Sequence, residues 1–200
     1  DQNGRKAGFF MEKLAIYKAT LKLIKEGKVS YLSMAEVGYH ARVSASVVET
    51  LFENREQLIS FAGVQVFESI NKVIDAATRT EEPFSKRYFK LLRELITYYT
   101  GNPDIVAFLD HFANFPFNVD EVKRLEKQML TSLIGFFESY APITQTISAA
   151  TVANLFHENI KIIARSEGRI SETEIYLLAQ LFLKAMDNSQ PASVPALEAA

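Results

Sequence analysis

Cysteine is absent from all 200 residues. Disulfides, thiolate nucleophiles and cysteine-held metals are therefore excluded. Histidine is scarce, since His40, His111 and His157 are the only three, and they fall in three separate helical segments. No HExxH, GxSxG, glycine-rich phosphate loop or EF-hand pattern occurs, so no enzyme, metal site or cofactor is expected. His157 beside Glu158 reads more simply as a partly buried, hydrogen-bonded histidine than as a metal ligand. Glu81-Glu82 and Asp120-Glu121 stand near helix starts, where capping and dipole effects account for them. Apolar runs fall short of the ~20 residues a membrane span needs. Glu12 and Lys13 interrupt the only apolar stretch near the start, so no cleavable signal pattern is read there. A soluble, cytoplasmic protein is expected. Charge of one sign is also lacking: the net value is −2, which excludes a generic nucleic-acid coat.

What is present is helical periodicity and aromatic side chains. Hydrophobic residues make up 48% of the chain, enough for a sizeable core. Spacing and punctuation predict an all-α protein of about nine helices, over 6–26, 33–40, 44–51, 55–78, 84–100, 104–112, 119–140, 144–166 and 172–187. Phe10, Leu14, Tyr17, Leu21 and Ile24 are the expected inward stripe of the first helix, which Gly27 stops. Lys13, Lys18, Lys22 and Lys25 lie on its other face, ordinarily a solvated one, with phosphate contact the functional reading. The fourth helix is a long connector facing inward through Leu58, Phe61, Ala62, Val66 and Ile70.

Residues 33–59 carry most information. Ser33 can cap the second helix, Ser44 the third and Asn54 the fourth. Val37 and Ala41 in one short helix, and Val48, Leu51 and Phe52 in the next, supply apolar faces. Two such helices across a tight junction form the helix-turn-helix plan, whose second member enters the DNA major groove; an ordinary helical hairpin is equally compatible with spacing alone. The stretch resembles the DNA-binding domain of the TetR family of transcriptional regulators. Ser33, Val37, Gly38, Ala41, Val43, Ser44, Val48, Phe52, Arg55, Glu56 and Leu58 match that family's running pattern. The likeness is specific for about the first 60 residues. It departs where Arg42 replaces the turn glycine, Ala45 a frequent lysine, Glu49 a tyrosine and Leu51 a histidine or tyrosine. Two phosphate contacts are lost in this way, leaving either an unusual operator or decayed DNA binding.

The resemblance implies a DNA-binding head at 1–53, a ligand-binding and dimerisation body at 54–188 and a tail at 189–200. The head carries eight Lys/Arg against six Asp/Glu, and residues 54–200 carry fourteen against eighteen. This polarity fits a small DNA-facing head on an acidic body. Ser33, Arg42, Ser44, Ala45, Ser46, Val47, Thr50 and Arg55 are the candidate contacts to a palindromic duplex operator. A small hydrophobic or aromatic ligand is expected among Tyr98, Phe108, His111, Phe112, Phe115, Phe136 and Tyr140, although core packing is the commoner fate of such rings. The last two helices are apolar on more than one side. Ile147, Phe156, Ile160, Ile175, Leu178 and Phe182 are the candidate homodimer interface, with burial inside one chain as the alternative. A dimer of the same architecture that serves as a ligand or protein-interaction module, without reading DNA, is the competing function.

Overall fold

Serine and asparagine side chains start the helices. Ser33 Oγ accepts from the Glu36 N–H at 3.1 Å, Ser44 Oγ from Val47 N–H at 3.4 Å and Asn54 Oδ1 from Gln57 N–H at 2.9 Å. Ser148 does the same for Thr151 N–H at 3.1 Å, a cap the periodicity does not reveal. Ser171 accepts from Glu174 N–H at 3.2 Å while Glu174 Oε2 accepts from Ser171 N–H at 2.7 Å, a reciprocal capping box. Each cap stabilises its helix by about 1 kcal/mol.

The computed structural model describes residues 2–112, 115, 120–140, 148–166 and 170–187, without side chains for 2–7 and 186–187. Among the described residues there are nine α-helices and no strand, as expected. They are α1 (Gln2–Lys25), α2 (Met34–Ala41), α3 (Ala45–Leu51), α4 (Arg55–Thr78), α5 (Phe84–Gly101), α6 (Pro103–Phe112), α7 (Asp120–Glu138), α8 (Ala149–Arg165) and α9 (Glu172–Asp187), with a 3-10 turn at Val29–Tyr31. The candidate interface residue Ile147 and the tail lie outside the described residues. No described helix is long and apolar enough to cross a membrane.

The chain divides into two compact units whose boundaries fall inside α4, α5 and α7. One comprises 1–72 and 99–129, the other 73–98 and 130–200. In the first, Ile16, Leu23, Ile24, Val37, Val48, Leu58 and Val66 are sealed from solvent. The inward stripe of α1 therefore differs from the expected one. Leu21 and Ile24 are buried, but Phe10 is 68% exposed and Leu14 36%, while Ile16, Ala19, Thr20 and Leu23 are buried. Nearly every position of α1 beyond Leu14 has a workable apolar neighbour, so spacing alone selects the face poorly. Gly63 of α4 permits a close approach to α7, since an added Cβ would stand 2.7 Å and 2.9 Å from the two Val122 γ-carbons. The second unit is built around Tyr88, Leu91, Leu95, Leu133, Phe137, Ala153 and Ile160.

Candidate functional site

The helix-turn-helix closes through backbone geometry. Val43 N–H donates to Gly38 O at 3.0 Å and Arg42 N–H to Tyr39 O at 3.2 Å, the paired bonds of a Schellman ending. Arg42 itself is left-handed, at φ 59°. Gly38 is buried at the crossing: a Cβ there would lie 3.0 Å from Val43 O and 3.2 Å from Ala45 N. This glycine lets α2 and α3 meet, and a side chain would have to push them apart. Val37 and Val48, both fully buried, anchor the two helices on the core.

That anchoring decides which part of α3 faces solvent. Ser44, Ser46, Glu49 and Thr50 are exposed, and Ala45 and Val47 half-buried. The hydroxyls are already engaged: Ser44 Oγ and Ser46 Oγ stand 2.9 Å apart, and Thr50 Oγ1 donates to Ser46 O at 2.7 Å. Helix α3 contains no cation and one exposed carboxylate, Glu49. Positive charge comes from its flanks. Arg42 is exposed, whereas Arg55 Nη1 donates to Ser30 O at 2.8 Å and so braces the segment before α2. Ser33 is exposed at the start of α2. Tyr31 and Tyr39, 83% and 81% exposed, stand on the same head and were not among the candidate contacts. Only their exposure marks them, and sequence spacing cannot supply that.

The seven candidate ligand residues are divided between the two units. Phe108, Phe112 and Phe115 pack on one another with centroids 5.5–5.9 Å apart, and Phe112 meets Phe67 at 5.4 Å. Phe108 is fully buried and His111 half-buried, so in this unit the rings act as core. In the other unit Phe84 stacks on Phe136 at 4.8 Å and on Tyr140 at 4.3 Å. Tyr98 belongs to that unit and is half-buried.

A groove of about 330 Å³ opens in the second unit between α5, α8 and α9. Its walls include Tyr88, Leu92, Val152, Phe156, Ile160, Leu178 and Phe182, with Asn159 the one polar amide. Four of the residues expected at a subunit interface therefore line a groove within the chain. Phe156 and Ile160 are 7% and 1% exposed, because residues of α5 and α9 face that side of α8, and Ile175 of α9 is 4% exposed. The most exposed apolar side chains are different ones: Leu155, which also borders the groove, and Ile162, Tyr176, Leu177 and Leu181, all more than half exposed. Leu178 is 37% exposed and sits at the edge. Val152, Phe156 and Ile160 recur at i, i+4 and i+8, but on a helix apolar on more than one side spacing does not give the element they pack against.

Two buried groups in this unit titrate abnormally. Burial pushes the Tyr88 phenol above its ordinary range. Burial, reinforced by the Lys161 ammonium, pushes His157 down to about 4. His157 is thus neutral at pH 7. Among the described residues no group of three His, Asp or Glu side chains could hold a metal ion.

No protein-family model matches the sequence. A curated relative, an HTH-type transcriptional regulator of Haemophilus influenzae, is 22% identical over 111 residues. The match spans 56% of this chain and 59% of the relative, less than two thirds of its length. A solved TetR-family transcriptional regulator of Vibrio parahaemolyticus aligns with a TM-score of 0.67 at 16% identity, covering 87% of this chain and 97% of that one. The regulator AibR, solved with isovaleryl coenzyme A and operator DNA, aligns with a TM-score of 0.71 at 15% identity, over 87% and 97% of the two chains. The fold is that of the TetR-family regulators.

Proposed function

We propose that this protein is a cytoplasmic, homodimeric DNA-binding regulator of the TetR type, which represses transcription at a palindromic operator until a small hydrophobic ligand binds. One observation carries this reading. Val48 is fully buried beneath α3 while Ser46 and Thr50 on its opposite side stay in solvent. A helix anchored by one face and polar on the other can enter a groove without unfolding its support. In this assignment residues 1–53 form the head and 54–188 the body. Ser44, Ser46, Val47 and Thr50 meet base edges or phosphate, and Arg42, Ser33 and Arg55 lie toward the backbone.

The groove between α5, α8 and α9 is the best-formed apolar candidate for the ligand, and its volume falls in the range of small-molecule sites. AibR was solved with an acyl-coenzyme A and DNA together, which makes an acyl-type ligand the first to test here. Ile162, Leu177 and Leu181 are the surface that a second copy would cover.

A second reading rests on Glu49. An exposed carboxylate on the groove-facing helix, with no lysine at Ala45, disfavours phosphate approach. On that view the dimer binds a ligand or a protein and no operator. Titration of the purified chain against pooled genomic duplexes at low and moderate salt separates the two. Operator recognition gives saturable binding that enriches a palindrome and falls steeply with salt. Ala45→Lys with Glu49→Tyr should then strengthen binding and steepen the salt slope. No affinity even at low salt would overturn the regulator reading and leave the second.

A further inference from the structure

The first unit contains a second concavity, larger than the apolar groove and, unlike it, carrying several charged side chains among its apolar ones. It measures about 490 Å³ and lies between α1, the α2–α3 turn and the start of α6. Lys18 and Lys22 of α1, His40 of α2 and Arg42 of the turn line it, with Asn102 and Asp104 at the other wall. We infer that this cleft is a binding site for a small phosphorylated anion of the di- or triphosphate class.

The charge arrangement supports this. Other cations of the same head are matched: Lys25 Nζ is 2.9 Å from Asp104 Oδ1, and Lys28 Nζ is 2.8 Å from Glu36 Oε1 and 3.4 Å from Glu26 Oε2. Lys18, Lys22 and Arg42 have no ion pair among the described residues. The one carboxylate in the wall, Asp104, is already held by Lys25, so it offsets little of the field that the three cations set up. A concave surface on which one sign of charge predominates focuses its field and concentrates counter-ions. Three cations, one a planar guanidinium suited to bidentate oxygen pairs, match a polyphosphate better than a single carboxylate, which would leave two of them uncompensated. The volume also exceeds what a lone carboxylate fills.

This cleft belongs to the first unit and the apolar groove to the second, and the inference goes beyond the regulator reading. If that reading holds, Arg42 is asked to serve both an operator phosphate and the anion. The two would then weaken each other by the same factor, as linkage requires.

Pyrophosphate and ATP, each titrated into the 200-residue chain and followed by amide chemical shifts, test the site without any DNA. Saturable shifts are expected at residues 18, 22, 40–42, 101, 102, 104 and 105. Lys18→Ala with Lys22→Ala should weaken both probes by about tenfold or more, and added salt should mimic the change. Lys72→Ala, on exposed α4 surface outside the cleft, should leave affinity unchanged. Both cleft lysines are exposed, so the fold should survive, and Lys18→Gln with Lys22→Gln gives a second variant if it does not. Absent shifts, or shifts spread over all cationic surfaces and indifferent to the double variant, would overturn the inference. So would binding to duplex DNA alone, which would assign these cations to the nucleic-acid backbone.

Discussion

Gly27 and Arg42 occupy the same backbone state at equivalent places in two helix endings. Gly27 follows α1 and Arg42 follows α2, at φ 76° and 59°, and both helices close with the paired bonds of a Schellman turn. Glycine takes this conformation freely, whereas a side chain there costs about 1 kcal/mol. Arg42→Gly should therefore raise stability by about 0.5–1 kcal/mol in denaturant unfolding. If Arg42 holds an operator phosphate, the same variant should lose DNA affinity and flatten the salt dependence by about one ion. A variant that gains stability and keeps its salt slope would free Arg42 from the DNA contact.

Thr50 has spent its proton on the Ser46 carbonyl, at 2.7 Å. Its hydroxyl can then only accept from a base, which points to the amino group of adenine or cytosine. Thr50→Val keeps the shape and removes the acceptor. Discrimination at one base pair of each half-site should relax by about 1–3 kcal/mol in competition binding, with non-specific affinity unchanged.

Two helix glycines should respond with opposite sign to the same change. At Gly63 a Cβ meets the stiff Val122 γ-carbons at 2.7 Å and 2.9 Å and Phe108 Cζ at 3.1 Å. Gly63→Ala should cost about 1–3 kcal/mol, because overpacking outweighs the gain in helix propensity. Gly135 has nothing within 4 Å of that position. Gly135→Ala should stabilise by up to about 1 kcal/mol, read from the same unfolding curves.

His157 makes stability depend on pH. Its folded value, about 4, lies below the ordinary 6.5, so between those limits the unfolded chain binds the extra proton. Stability is full above 6.5, falls as pH drops toward 4 and levels below it. The loss is about 3 kcal/mol at most, because a tenfold difference in proton affinity between the folded and unfolded chain is worth about 1.4 kcal/mol. His157→Gln should flatten that slope in urea unfolding series, and an unchanged slope would place the acid sensitivity elsewhere.

Leu177 and Leu181 of α9 are 54% and 64% exposed. If a second copy covers them, Leu177→Glu with Leu181→Glu should halve the mass seen by light scattering. Phe156→Leu, inside the groove, should leave the mass alone and alter ligand affinity. The reverse pattern would return the interface to the groove-lining set.

Helix limits were largely legible because they are local. Ser33, Ser44, Asn54 and Ser171 fix starts through bonds spanning three residues, and Gly27 fixes a stop through its own φ. The α4 range, Arg55–Thr78, follows from such signals and from a clear inward stripe. Facing was less legible. Phe10 and Leu14 fit a stripe on α1 that the structure leaves in solvent, and Phe156 and Ile160 fit a subunit interface yet wall a groove. The candidate ligand aromatics are divided between the two units for the same reason. Periodicity gives the angle between side chains on one helix and says nothing of which helix arrives to cover them.

The sequence by itself determined an all-helical chain, the helix-turn-helix junction and the polar character of α3, since caps, turn geometry and residue chemistry act within a few positions. Tertiary packing alone decided that Gly38 must be bare, that Val48 is covered while Ser46 is not, and that Lys18, Lys22 and Arg42 converge on one cleft. Those outcomes depend on contacts between segments distant in the chain, whose positions are set by the burial of the whole core.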